Sequence, residues 1–469
     1  MANTSTSTLL ADTRILLEFA NSTGSLSFYM AHGGTNFGFW GGANVDGTHY
    51  MPHITSYDYD CPISEGGGYG QPGIGGESKY HGLREVIANH TGEKLPDIPP
   101  LPQSKAYGTV EMEEGLSLFD AIPDLFSGEG ILSEEPDTME EYGQRQVEGW
   151  LRLVDIRWGL ILYRTHVAAD ALDKDSQLDL RVPVHDYASV FADGELLGRL
   201  DRNGSPVLNT TARRRAAGSS PKEIVLDILV EAVGRQNFGC DTGGWDFKGL
   251  QSPKVQLNGN ALRGWRVFPL QLDSVTSTTF PSVAAAAGLL PSLPLKLGPG
   301  AHAERAGAGP ATTSSRKLLG PGATGPTRLQ FGSRAKEQAE SAAASPTFYR
   351  GSFVIKLGNE NKSEHPADTY LDTRGWGKGV AWVNGFNLGW YWPSRGPQMT
   401  LYVPGPVLRE GENELVLLEI ELGGERAHGR NSKPQVELVD APDFYGPSGP
   451  TDKMAAVPVV SPKNRRRVP

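Results

Sequence analysis

Residues 27–65 read SFYMAHGGTNFGFWGGANVDGTHYMPHITSYDYDCPISE, and the rest of the chain is organised around them. The stretch holds eight Phe, Tyr or Trp residues, two glycine pairs and a Tyr-Asp-Tyr-Asp run. Ring faces and short polar groups at that density suit a sugar-binding surface better than a plain core strand. Its opening, Leu26 to Ala31, is a short apolar run bounded by turn residues, which predicts a buried parallel strand. Gly33-Gly34 ends that run. The segment beyond the glycine pair is too rich in glycine, aromatics and Asn/Asp for a helix, so a long loop at the carboxyl end of the strand is expected. In a barrel of alternating strands and helices, active sites lie at that end.

The flanks fit the tail of such a repeat. Thr8 to Phe19 carries Leu9, Leu10, Leu16, Leu17 and Phe19 with Asp12, Arg14 and Glu18 between them, an amphipathic helix. Glu77 to Asn89 places Tyr80, Leu83, Val86 and Ile87 on one helical face. Residues 1–92 therefore read as the last strand and flanking helices of a TIM barrel, whose full form needs eight strands and about 250 residues. Residues 93–140 read as a linker with a short strand: EKLPDIPPLP is extended and proline-rich, and AYGTVEM is the strand. Leu116 to Leu125 has helix-like spacing interrupted by Pro123, and 128–141 is acidic and reads as loop.

Residues 141–273 form a run of short strands with turn signals such as Ala192-Asp193-Gly194-Glu195, which predicts a β-sandwich. Residues 274–345 are rich in Ala, Gly, Pro and Ser and are expected to be disordered except at the ends. A second sandwich is expected over 346–441, with Asn384-Gly385 as a hairpin turn, and then a tail over 442–469. The fold class is thus mainly β with a partial α/β segment: a TIM-barrel remnant followed by two β-sandwich domains.

Across 469 residues the net charge is −10, which indicates no basic surface for nucleic acid; Lys463 and Arg465 to Arg467 read as a solvated tail. Two cysteines, Cys61 and Cys240, exclude a disulfide framework, and a bridge between them stays open. Six Asn-x-Ser/Thr sequons, at Asn3, Asn21, Asn89, Asn203, Asn209 and Asn361, lean toward a secretory setting. The first residues lack a basic segment and a sustained apolar core, so no signal peptide is expected in this chain. No apolar run is long enough to predict a membrane span. No pattern points to a cofactor or a metal.

HGGTNFGFWGGAN (32–44) followed by TSYDYDCPISE (55–65) resembles the last barrel strand and loop of the family 35 glycoside hydrolases, the β-galactosidases. Gly159 to Arg164, Val230 to Arg235 and Trp245 to Leu250 resemble that family's first β-domain, a galactose-binding-like jelly roll. The motif GWGKG-x-x-W-V-NG-x-NLG-x-YWP, residues 375–393, resembles its second β-domain. The resemblance implies that Tyr29 and Tyr59 line a pocket for terminal galactose. As residues alone, both suit core tyrosines that hold the loop better than a sugar site.

The family hydrolyses terminal β-galactose from glycans with retention, using two glutamates at the ends of the fourth and seventh barrel strands. No glutamate here matches either motif, so this chain is expected to be inactive alone, with no catalytic residue of its own. The alternative is a non-catalytic galactose- or carbohydrate-binding protein.

Glu412-Asn413-Glu414 echoes an acid/base motif but reads as a turn entering a strand. Asp58, Asp60 and Glu65 could form a carboxylate pair, though the two aspartates alternate with rings and suit backbone capping better. Trp376, Trp382, Trp390, Tyr391 and Trp392 either seal one end of the sandwich or bind sugar. Trp390 stands where the family usually carries Arg, which puts any ion pair served by that guanidinium in doubt. The implied partners are β-galactoside glycans once the barrel is completed, and the implied location is secretory, vacuolar or lysosomal, or extracellular. The oligomeric state is left open.

Overall fold

The computed structural model describes residues 4–47, 49–57, 61–69, 78–126, 128–144, 158–172, 175–210, 223–238, 246–277, 327–329, 346–357, 366–421, 433–444 and 446. Strands dominate, and they build two sandwiches. In the first, a six-stranded sheet runs in the order Glu195–Asp201, Tyr187–Ala192, Glu223–Ala232, Gly159–Ala168, Trp265–Pro269, Ile131–Ser133, with every neighbouring pair antiparallel. A four-stranded sheet, Val207–Asn209, Gln177–Asp179, Gln256–Leu257, Asn260–Ala261, covers it. Ile161, Tyr163, Val190, Ile228 and Trp265 of the larger sheet share a core with Leu178 and Leu257 of the smaller. Asp193 and Gly194 both take positive φ, the turn that the Asp-Gly pair predicts between Tyr187–Ala192 and Glu195–Asp201.

The second sandwich pairs a five-stranded sheet, Phe386–Tyr391, Gly379–Val383, Gly411–Glu419, Thr347–Ile355, Glu113–Ser117, with a four-stranded one, Thr400–Val403, Thr369–Asp372, Gln435–Val439, Gly108–Glu111. Asn384 and Gly385 have φ of 51° and 84°, so the hairpin turn falls where the sequence puts it. One strand of each sheet, Gly108–Glu111 and Glu113–Ser117, comes from the segment read as a linker. The chain lays down two edge strands of the second sandwich, builds the first, and then returns. Pairing across more than 200 residues leaves no local signal beyond the strand itself.

Two other readings need correction. Ile131–Ser133 and the helix Met139–Gln144 lie in the acidic stretch read as loop; the strand pairs with Trp265–Pro269. Leu26 to Ala31 forms no strand. Among the described residues the nearest thing to a ladder there is a single parallel bridge from His32 to Ile63. The pairing with Ile63, one bridge and the hydrogen bond from its amide to the Ala31 carbonyl, is too short to make a strand of the run.

The helix Thr6–Ser22 is capped by Ser5, whose hydroxyl accepts from the Thr8 amide, and leaves helical geometry at Phe19. It packs on the helix Lys79–Thr91, where Gly82 admits Leu10: a Cβ on Gly82 would lie 2.6 Å from the Leu10 side chain. From the long alanine- and proline-rich segment the described residues are 274–277 and 327–329, where Val275–Ser277 and Thr327–Leu329 pair in parallel. A third core joins the parts: Phe39, Val45 and Tyr50 of the loop meet Leu162, Phe191 and Leu229 of the first sandwich and Trp382, Trp390 and Leu418 of the second. Among the described residues no helix is long and apolar enough to cross a membrane.

Candidate functional site

The loop after Gly33 is a clamp gripping both sandwiches. Toward the first, Gly42–Asp46 pairs in parallel with Arg235–Phe238 and antiparallel with His49–Pro52. Tyr50 then plunges into a buried charge cluster. Its hydroxyl lies 2.8 Å from Asp186 Oδ2 and 2.6 Å from the Gly234 carbonyl, while its backbone is held on both sides by the Asn203 amide.

Asp186 also accepts from Lys248 Nζ at 2.7 and 2.8 Å, from Arg202 at 3.0 Å and from the Val233 amide. Lys248 is 0% exposed and also pairs with Asp246 at 3.0 Å. Burial pushes Asp246 up, but Lys248, the Gln236 amide and Arg202 outweigh it and hold the carboxyl at about 2. Burial, then the Asp186 charge, drives the Tyr50 phenol well above its usual value. Every partner is satisfied within the cluster, which makes it a fastening rather than a reactive site.

Toward the second sandwich, the Gly38 amide donates to the Asn387 carbonyl, the Thr55 hydroxyl to the Trp390 carbonyl at 2.6 Å, and the Ser56 amide to Gln398 at 2.9 Å. Phe37 packs edge-on against Phe386, and Phe39 against Trp390. The loop then folds on itself: Gly34–Thr35 pairs with Ser56–Tyr57, and Glu65 Oε2 accepts from both the Thr35 and Ser56 hydroxyls, at 2.6 and 2.9 Å.

Tyr29 stands at the outer end of this ribbon. It is 85% exposed, its ring centroid 6.4 Å from that of Tyr57 and its hydroxyl 3.5 Å from the Tyr57 hydroxyl. A tyrosine holding a core would be covered, so the exposed ring on a firmly seated loop argues against that reading. Tyr59, with Asp58 and Asp60, lies outside the described residues. Tyr57, two positions earlier, was not singled out from sequence; the structure places it beside Tyr29 and in tilted ring contact with His53, centroids 5.0 Å apart. Nearby, Ile15, Leu16, Phe19 and Trp40 are also exposed, Phe19 at 71% and Trp40 at 68%.

The remaining candidates resolve differently. Trp376, Trp382, Trp390, Tyr391 and Trp392 are all buried, Trp376 and Tyr391 in the core of the second sandwich and the other three in the core that joins the parts, which gives sugar no face to stack on. Glu414 lies within the strand Gly411–Glu419 and accepts from the Ser277 amide, and Glu412 sits at the start of that strand. Among the described residues, neither faces another carboxylate in the way an acid/nucleophile pair requires. Arg164 pairs with Asp227, and Arg235 with Glu140, so both act inside the first sandwich. Cys61 is buried, its thiol donating to the Ile63 carbonyl; Cys240 lies outside the described residues.

Asn21, Asn89 and Asn209 are exposed, Asn203 has its amide engaged by the Tyr50 backbone, and Asn361 lies outside the described residues. No group of His, Cys, Asp and Glu among the described residues could hold a metal. Asp186 and Lys248, the centre of the fastening, escaped the sequence reading. The signal they left was charged residues set among ring and aliphatic side chains in VHDYASV (184–190) and WDFKGL (245–250).

Comparison with known proteins gives three family matches. Residues 3–90 match the glycosyl hydrolases family 35 model, 151–271 the β-galactosidase first all-beta domain, and 346–413 the β-galactosidase galactose-binding domain. Beta-galactosidase 8 of Oryza sativa subsp. japonica is 34% identical over 433 residues, 90% of this chain and 54% of that protein. Beta-galactosidase 17 of Arabidopsis thaliana is 34% identical over 92% of this chain and 52% of its own length, and the beta-galactosidase of Bos taurus 33% over 90% and 52%. The chain spans about half the length of these relatives.

Proposed function

Since this chain belongs to the family 35 glycosyl hydrolases, we propose that it supplies one wall of a galactose pocket and the two β-domains that brace it. In a complete β-galactosidase, that wall serves retaining hydrolysis of terminal β-galactose from glycans. The observation that carries this reading is Tyr29: an exposed ring at the tip of a loop whose other segments are fastened to the sandwiches. Such a ring offers an apolar face and a hydroxyl, which is what a pyranose needs from a pocket wall. Tyr59 joins it on the strength of the resemblance. The exposed apolar positions Ile15, Leu16 and Phe19 mark the side on which further barrel would pack.

Retaining chemistry needs two carboxyl groups about 5 Å apart, one as acid and one as nucleophile. The described carboxylates of the site do not supply them. Glu65 is spent on two hydroxyls, and Asp186 and Asp246 are spent on Lys248 and Arg202. This chain by itself is therefore expected to turn over no aryl β-galactoside, and measurable turnover by the purified chain would overturn the assignment. Exposed sequons at Asn21, Asn89 and Asn209 fit a secretory route with glycans at those positions.

A further inference from the structure

We propose that Glu65 is a positioning residue for the aromatic wall, holding the loop ribbon against the second sandwich as a neutral acid and releasing it on ionisation. The proposal rests on Tyr29 being a pocket wall, but the latch itself is read from geometry.

Three separate segments meet at Glu65. Its Oε2 is the shared acceptor for Thr35 and Ser56, which are opposite each other in the ribbon register. Two residues before it, Ile63 exchanges hydrogen bonds with the segment just beyond Tyr29: the Gly33 amide donates to the Ile63 carbonyl at 2.7 Å, and the Ile63 amide to the Ala31 carbonyl at 3.0 Å. Immediately after it, Gly66 lies against the second sandwich, where a Cβ would come within 2.5 Å of the Tyr370 hydroxyl. One carboxyl thus ties the strand next to Tyr29 to the strand carrying Tyr57, and the residue after it lies against the neighbouring domain.

The other oxygen sets the protonation state. Glu65 Oε1 is buried and has no hydrogen-bond partner among the described residues. A carboxylate left so loses solvation without compensation, whereas a neutral carboxyl leaves much less unsatisfied. Burial pushes this carboxyl up to about 7, against the opposing pull of the Thr35 and Ser56 hydrogen bonds.

Among the described residues, the groups around it add no compensating cation. Tyr370 and Tyr402 face it from the second sandwich, both with phenols pushed up by burial. Behind them Asp368 takes the Tyr402 hydroxyl and the Gly405 amide. On the ribbon side His53 meets Tyr57 in a tilted ring contact and is held below its usual value by burial. Its protonation in acid would act in the opposite direction to that of Glu65. Since the folded value lies above the ordinary one, the hold is complete in acid and is lost as pH rises through neutrality.

Hydrogen exchange followed by mass spectrometry on the whole chain tests this, using peptides that cover 31–36 and 61–65, with rates corrected for intrinsic pH dependence. Protection of these segments is expected to fall at least about tenfold between pH 5 and pH 8.5 in the native chain, and to stay level in Glu65→Gln. Unchanged protection in the native chain, or an equal fall in Glu65→Gln, overturns the proposal. Should Glu65→Gln not fold, Thr35→Val decides. Removing a donor to the ionised form must move the midpoint of the native transition to higher pH, and a midpoint that stays put or drops counts against the latch. No sugar enters the measurement, so its failure leaves the galactose reading standing, and failure of galactose binding leaves this result in place.

Discussion

The Lys378 ammonium, from the second sandwich, lies 2.8 Å from Oε2 of Glu231, on a central strand of the first. It is enclosed by rings from both sides, 3.8 Å from the Trp392 centroid and 4.0 Å from that of Tyr187. The pair is fully buried, and Glu231, the ring faces and Glu421, whose Oε1 lies 3.9 Å from the same ammonium, compensate the charge.

Replacing Lys378 with Met keeps the stem packing but strands Glu231 among apolar groups. The cost expected in urea denaturation is about 3–5 kcal/mol. Adding Glu231→Gln removes the orphaned charge, so the double variant should be more stable than Lys378→Met alone. A double variant no better than the single one would show that the rings, not the ion pair, hold this boundary.

The Tyr50 side chain joins the loop to the first sandwich through a hydroxyl shared by Asp186 and Gly234, beside the backbone bonds to Asn203. Tyr50→Phe keeps the ring under Arg202 and Lys248 but removes a hydrogen bond to a charged group, at a cost of about 1.5–3 kcal/mol. Denaturation of the variant should show that loss without a change in m-value, because the surface buried is the same.

How much of this was legible depends on where each signal lies. The Asp193-Gly194 and Asn384-Gly385 turns need positive φ, and that demand is written in two adjacent residues. The family motifs around Tyr29 and Trp382 are likewise contiguous. Pairing of Glu113–Ser117 with Thr347–Ile355 is not contiguous: the strand is local, but its partner is chosen by what the whole chain brings together. The same holds for Glu65: its neighbours in sequence left a carboxylate pair open only as the lesser reading and gave no hint of its partners among the described residues, two hydroxyls on one oxygen and no donor on the other. Leu26 to Ala31 has the composition of a strand, yet composition cannot supply the neighbours that make one.

Glu419 carries the second pH dependence. It is buried and accepts from the Gly377 and Lys378 amides and from the Tyr391 hydroxyl. Burial still pushes it up to about 8. Because the folded value exceeds the ordinary one, the native state binds the proton more tightly. Its stabilising contribution is complete below about pH 4.5 and is lost as pH rises through 8, on the order of 4–5 kcal/mol over the whole range. Melting temperature should fall from pH 5 to pH 9, and Glu419→Gln should flatten that fall beyond whatever Glu65 contributes.

Trp390 stands where the family usually carries Arg, and its surroundings say what restoring the Arg would do. The side chain is 1% exposed, its ring meets Phe39 of the loop edge-on, and Lys378 lies 6.0 Å from its centroid. A guanidinium at this position would be a second buried cation beside Lys378, with Glu231 already committed and Glu421 at 3.9 Å from the same ammonium. It would also give up the apolar contact through which the loop seats on the second sandwich. Trp390→Arg is therefore expected to destabilise by about 3 kcal/mol or more in urea denaturation, and to raise exchange at the Gly38 and Asn36 amides before the sandwich strands open. A neutral or stabilising result would mean that the site still holds an unmatched anion, with Glu421 as the carboxylate to remove next.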